Sequence, residues 1–122
     1  MYDNILIVDD SSTSRMITQK CFTIVGFDKS TYYEAENGID AIAMLREKNV
    51  DLIVTDLNMP KMDGFTFIKT ITDSEKYNNV KFIIISSLAI ELTKEELNKF
   101  NIVAIIKKPI SPAKIKEVIS ND

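Results

Sequence analysis

Leu52-Ile53-Val54-Thr55-Asp56-Leu57-Asn58-Met59-Pro60-Lys61-Met62-Asp63-Gly64 runs four apolar or β-branched residues straight into an aspartate, and a loop bearing Pro and Gly follows. A short apolar run bounded by turn signals reads as a buried strand. Asp56 then stands at the strand's carboxyl end, where the backbone opens to solvent. In open α/β sheets that edge is where ligands bind and chemistry is done.

Working outward, Ile5-Leu6-Ile7-Val8 repeats the pattern and ends in Asp9-Asp10. Ser11, Ser12 and Thr13 are N-cap types, and the helix they open is expected to bury Met16, Ile17, Cys21, Ile24 and Val25, with Gly26 as its stop. Residues 30–35, rich in Thr and Tyr, form a weaker strand. Glu36-Asn37-Gly38 turns the chain into a helix marked by Ile39, Ile42 and Leu45, running to about Lys48. Beyond the 52–55 strand, Phe65, Ile68 and Ile71 mark a third helix, and 73–79 reads as a polar loop. A strand over 80–85 ends in Ser86-Ser87, a helix over 93–100 turns Leu97 and Phe100 inward, and a strand over 102–106 ends in Lys107-Lys108-Pro109. Ser111-Pro112 is an N-cap and N1 pair for a last helix burying Ile115, Val118 and Ile119. Strand–helix repeats with continuously apolar strands predict an α/β fold, a parallel sheet covered on both faces by right-handed crossovers. One domain over 1–122 is expected.

Composition narrows the chemistry. The 122 residues carry a net charge of −3, which leaves no basic footprint for nucleic acid. No window approaches ~18 uninterrupted apolar residues and no leader opens the chain, so no membrane insertion and a cytoplasmic location are expected. The single cysteine, Cys21, excludes an internal disulfide and reads as a buried structural thiol. The absence of histidine removes Ser-His-Asp triads and nearly all zinc sites. Carboxylates, hydroxyls, lysine and a hard, oxygen-loving cation remain.

In a parallel sheet every strand ends on one edge. Asp9 and Asp10 follow the first strand, Asp56 ends the third, Ser86 the fourth and Lys108 the fifth. Three carboxylates that close repel one another unless a cation sits among them, and a hydrated, octahedral Mg²⁺ suits an all-oxygen set. Lys108 would be a liability beside a metal alone. It makes sense if a phosphoryl group also comes there, one oxygen on the metal, one on Lys108 and one on Ser86 and loop N–H groups. Asp56 is then the candidate nucleophile, forming an acyl phosphate. Each residue also has a plain structural reading: Asp9-Asp10 favouring a helix N-terminus, Asp56-Leu57-Asn58 an Asx turn, Ser86 a cap, Lys107-Lys108 a solvated pair, Asp63-Gly64 a turn. Singly, each functional signal is weak beside its plain reading. Gathered on one edge, all of them are hard to explain that way.

These residues carry a family resemblance over essentially the whole chain. Ile7-Val8-Asp9-Asp10-Ser11, Thr55-Asp56 with Met59-Pro60-Lys61-Met62-Asp63-Gly64, Ser86 after an apolar strand, and Lys108-Pro109 resemble the receiver domain of two-component response regulators. Ser12-Thr13-Ser14-Arg15 and Asn58 make it most similar to single-domain chemotaxis-type receivers. The resemblance implies a flavodoxin-like doubly wound (βα)5 sandwich with sheet order 2-1-3-4-5. It implies that Asp56 is the phosphoacceptor, charged from a phosphohistidine on a sensor histidine kinase or phosphotransfer protein. Asp10 and Asp56 would ligate Mg²⁺ through carboxylates, Asn58 through its backbone carbonyl and Asp9 through water. Lys108 would pair with the phosphoryl group, the Lys108–Pro109 peptide would be cis, Ser86 would be the switch hydroxyl, and backbone N–H groups of Leu57 and Ser87 would help hold the group.

The family often has an aromatic residue three positions before the lysine; Ile105 stands there, so an aliphatic must report the switch. Leu88, two residues after Ser86, lies where the family tunes dephosphorylation. The output face for a downstream target protein is expected near Ile90, Lys94, Ile105, Lys107 and Val118. The product is a conformation rather than turnover, so the chain is not read as an enzyme. Two other classes stay open: a degenerate receiver that binds partners unphosphorylated, and an aspartate-nucleophile phosphohydrolase, whose second catalytic Asp would stand where Asn58 does. Ending at Asp122 without an output domain fits a free-standing receiver, a phosphorelay shuttle or a receiver cut from a longer chain.

Overall fold

A computed structural model describes residues 2–119; the expected domain limits at 1 and 122 lie outside them. Five strands, β1 (Asn4–Val8), β2 (Thr31–Ala35), β3 (Leu52–Asp56), β4 (Lys81–Ser86) and β5 (Ile102–Lys107), alternate with α1 (Ser12–Phe22), α2 (Gly38–Glu47), α3 (Gly64–Thr72), α4 (Lys94–Lys99) and α5 (Pro112–Ile119). All pair in parallel, in the order β2-β1-β3-β4-β5. The expected α/β doubly wound sandwich is the observed one.

Strand residues alternate between two cores because successive side chains leave opposite faces. Leu6, Val8, Ile53, Phe82 and Ile84 meet Ala41 and Leu45 of α2 and Phe67, Ile68 and Ile71 of α3. Ile5, Ile7, Leu52, Val54, Ile83 and Ile85 meet Cys21, Phe22, Phe27 and Ile115 on the α1 and α5 side. Burial pushes the Cys21 thiol's pKa up, which suits an inert core residue.

Caps follow local chemistry. Ser11, Asn37, Asp63 and Thr93 each accept a backbone N–H three residues on, and Thr93 with Glu96 completes a capping box. After α1 a widened turn over Thr23–Phe27 carries Gly26 at φ 113°, a conformation that favours glycine.

Some expected faces are corrected. In α1 the buried residues are Thr18, Cys21 and Phe22, while Met16 and Ile17, and Ile24 in the turn that follows, are exposed. The helix meets the sheet along the 18-21-22 stripe, so apolar residues one step round the helix face water. Ile39 and Phe65 are likewise exposed in the first turns of α2 and α3, and Ala41 and Phe67 take the packing. No residue of α4 is fully buried, but Leu97, and Phe100 at the helix C-cap, turn inward against the core as expected. The polar 73–79 stretch includes a short 3-10 turn over Glu75–Tyr77.

A register shift between Phe82 and Ile83 pairs Phe82 with Ile102 but Ile83 with Ala104. Val103 is the extra residue of this bulge. It moves Ile105 to the α3 side and Ile106 to the α1 and α5 side, and sets Ser86 opposite Lys107.

Candidate functional site

Register brings the site together. Val8 pairs with Thr55 and Asp56 with Ile85, so Asp9, one residue past β1, comes level with Asp56 at the end of β3. The carboxylates of Asp9, Asp10 and Asp56 offer oxygens all within 4.8 Å of one another. Asp9 and Asp56 are buried and Asp10 is exposed.

Lys108 reaches in from the loop after β5. Its Nζ donates to Asp56 Oδ2 at 3.0 Å and to Asp9 Oδ2 at 3.2 Å. Partial burial works against the ammonium's charge, but the hydrogen bond and Coulomb attraction of Asp56, with those of Asp9, outweigh it and hold its pKa above the ordinary value. The loop is fixed on three sides. Lys108 N–H donates to the Ser86 carbonyl at 2.7 Å, and Lys114 of α5 donates to the carbonyls of Lys107 and Pro109 at 3.0 and 2.7 Å. The Lys108–Pro109 peptide is cis, as expected.

Asp56 Oδ1 accepts the Asn58 N–H at 3.2 Å, so the Asx turn of the plain reading is present and still leaves the carboxylate beside Lys108. Past it, Gly64 N–H donates to the Leu57 carbonyl at 3.0 Å. A Cβ on Gly64 would stand 2.6 Å from Leu57 Cα and 2.7 Å from the Asp56 carbonyl oxygen. The glycine is there for close approach of backbone to backbone. Asp63 caps α3 through the Thr66 N–H and hydroxyl, at 3.0 and 2.9 Å, and these bonds hold its carboxyl below the usual range.

Ser86 is 1% exposed, and its Oγ accepts the Leu88 N–H at 3.1 Å. Leu57 is buried beside Asp56, and Asn58 and Ser87 are exposed at the loop mouths. Leu88 is 63% exposed. Ile90 and Ile105 pack on the α3 side, Val118 on the α5 side, and Lys94 and Lys107 are exposed. The residues expected on one output face therefore straddle the edge strand β5.

Three carboxylates against one ammonium leave the cluster short of positive charge. An all-oxygen donor set this tight suits a hydrated divalent ion at about 2.1 Å per bond, which spans up to about 4.2 Å between opposite oxygens and reaches further through water. Three supports stand outside the expected site residues: Ser11, whose N–H donates to Asp9 Oδ1 at 3.0 Å, Lys114, and Arg15, whose Nη1 donates to the Asp9 carbonyl at 2.7 Å. Their positions in the first turns of α1 and α5, next to the site loops, were the available signal.

Residues 5–120 match the response regulator receiver domain family, and the chain belongs to it. It is a CheY-like receiver of two-component signalling. It is 34% identical over 113 residues to chemotaxis protein CheY-3 of Vibrio cholerae, covering 93% of this chain and 85% of that one. It is 33% identical over 117 residues to the sensor histidine kinase CheAY of Helicobacter pylori, covering 94% of this chain but spanning only 14% of the kinase. Solved structures agree on the fold. Chemotaxis response regulator CheY4 of Vibrio cholerae superposes with TM-score 0.80 at 23% identity, covering 99% of this chain and 98% of that one. The receiver domain of sensor histidine kinase PA1611 of Pseudomonas aeruginosa, solved with magnesium coordinated in its active-site cleft, gives 0.77 at 19% identity, covering 99% and 97%.

Proposed function

We propose that this domain is a phosphorylation-activated switch over 1–122 and that Asp56 accepts the phosphoryl group. A carboxylate oxygen of Asp56 attacks the phosphorus of a phosphohistidine on a kinase or phosphotransfer protein. The P–N bond to imidazole breaks as the P–O bond forms, and no base is needed in a chain without histidine. Asp10, Asp56 and the Asn58 carbonyl, with Asp9 through water, would hold Mg²⁺, which neutralises phosphoryl charge when bound. The magnesium in the active-site cleft of the PA1611 receiver domain supports reading this edge as a Mg²⁺ site.

Lys108 leaves Asp56 Oδ2 to pair with the phosphoryl oxygens, and backbone N–H groups of Leu57 and Ser87 complete the cradle. Ser86 exchanges its bond from Leu88 N–H for the phosphoryl group, which biases a pre-existing two-state surface at Ile90, Lys94, Ile105, Lys107 and Val118 toward a downstream protein. The cytoplasm is the compartment where such a kinase and target meet. The observation that carries the reading is the shared grip of Lys108 on Asp56 and Asp9 at one strand edge.

Incubation with acetyl phosphate, with and without Mg²⁺, followed by Phos-tag electrophoresis, tests it. A Mg²⁺-dependent retarded band is expected. No retardation with acetyl phosphate or with a phosphohistidine donor would favour a partner-binding domain that is not phosphorylated.

A further inference from the structure

The guanidinium of Arg15 is nearly enclosed, its side chain 11% exposed, one turn into α1. Nη1 donates to the Asp9 carbonyl at 2.7 Å and Nε to Glu34 Oε1 of β2 at 2.9 Å. One planar group thus ties α1, the β1–α1 turn and β2.

The carbonyl it holds belongs to the Asp9–Asp10 peptide. Because that peptide is a rigid plane, turning it changes ψ of Asp9 and φ of Asp10 together. Asp9 has other anchors: its N–H to the Ala35 carbonyl at 3.1 Å, Oδ1 on the Ser11 N–H and Oδ2 on Lys108. The Asp10 carboxylate has no hydrogen-bond partner among the described residues, so its aim depends on the backbone that carries it.

We propose that Arg15 is a positioning residue for the acidic site, fixing the Asp9–Asp10 peptide so that both carboxylates meet Asp56, with Glu34 holding the guanidinium off the carboxylates. Free of Glu34, the same cation would fall onto Asp9 and Asp10 and compete with a metal ion. The inference rests on the Mg²⁺ reading above and adds the group that shapes the site.

Charge and position predict opposite signs. If Arg15 acted only as a nearby positive charge, removing it would strengthen cation binding. If it positions the peptide, removal weakens binding despite the lost repulsion, and outer-shell substitutions at metal sites commonly cost about 10–100-fold. Arg15→Met keeps the apolar stem, and Arg15→Lys keeps the charge with one point donor in place of the fork.

Calorimetric titration with Mg²⁺ of wild type, Arg15→Met and Arg15→Lys decides between them, with circular dichroism melts to show that each is folded. Arg15→Met is expected to bind Mg²⁺ about 10-fold more weakly or worse, with Arg15→Lys between it and wild type. Should Arg15→Met not fold, Arg15→Lys alone decides, and wild-type affinity there overturns the inference. A folded Arg15→Met that binds as tightly as wild type, or more tightly, also overturns it. A wild type that binds no Mg²⁺ overturns the metal reading itself, and the two failures are told apart by which protein shows them.

Discussion

Lys108 Nζ lies 3.0 Å from Asp56 Oδ2, although 52 positions separate the two residues in the chain. The same nitrogen reaches Asp9, so one cation is shared between two buried carboxylates that the sheet register brings together. Lys108→Met should leave them facing each other with Asp10 and destabilise the metal-free protein by about 1–3 kcal/mol. Mg²⁺ should recover more stability in the variant than in wild type. Urea unfolding with and without Mg²⁺ checks both signs; an equally stable variant would remove the pairing from the account.

The loop after Asp56 depends on the missing side chain at Gly64. Because a Cβ there meets backbone at 2.6–2.7 Å, neither Leu57 nor Asp56 can yield by a rotamer change. Gly64→Ala should cost about 1–3 kcal/mol and slow phosphoryl uptake in the fraction that folds. Denaturant unfolding together with the uptake rate measures this.

Much of this was legible in the sequence, for reasons that differ by residue. The apolar strands, the N-cap residues and the polar strand ends follow from local chemistry, and a parallel sheet then puts Asp9, Asp56 and Lys108 on one edge whatever the loops do. Met16 and Ile17 misled because α1 carries two apolar stripes, and which one meets the sheet is decided by how the helix docks; Ile24 lies past the helix, in the turn over Thr23–Phe27. The Val103 bulge was invisible, since 102–106 reads as one smooth apolar run; only its pairing with β4 shows that Val103 and Ala104 lie against the same core. Arg15 and Lys114 were missed because each acts by donating to backbone carbonyls, which no side-chain pattern announces.

Tyr32 supplies a pH test away from the site. Its hydroxyl donates to the Phe27 carbonyl at 2.8 Å, and burial, with the nearby Asp28 charge, pushes its pKa up to about 12. The folded state therefore holds this proton more tightly than the unfolded chain, whose tyrosine titrates near 10. Its stabilising contribution is full below about pH 10 and is lost as pH rises toward 12. The difference in tyrosinate absorbance between wild type and Tyr32→Phe should show this late ionisation; a midpoint near 10 would contradict it.

Leu88, 63% exposed two residues beyond Ser86, should govern how easily water reaches a phosphorylated Asp56. Leu88→Glu should change the decay rate of the phosphorylated protein while altering stability by less than about 0.5 kcal/mol, as exposed substitutions do. An unchanged decay rate would remove Leu88 from the account.

Asp56, among the carboxylates at this edge, is the proposed acceptor of the phosphoryl group. Wild type and Asp56→Asn, each incubated with acetyl phosphate and Mg²⁺ and run side by side on a Phos-tag gel, test it most directly. A retarded band is expected in wild type and is expected to be absent in Asp56→Asn. A band that survives the substitution would place the phosphoryl group on another residue and contradict the assignment.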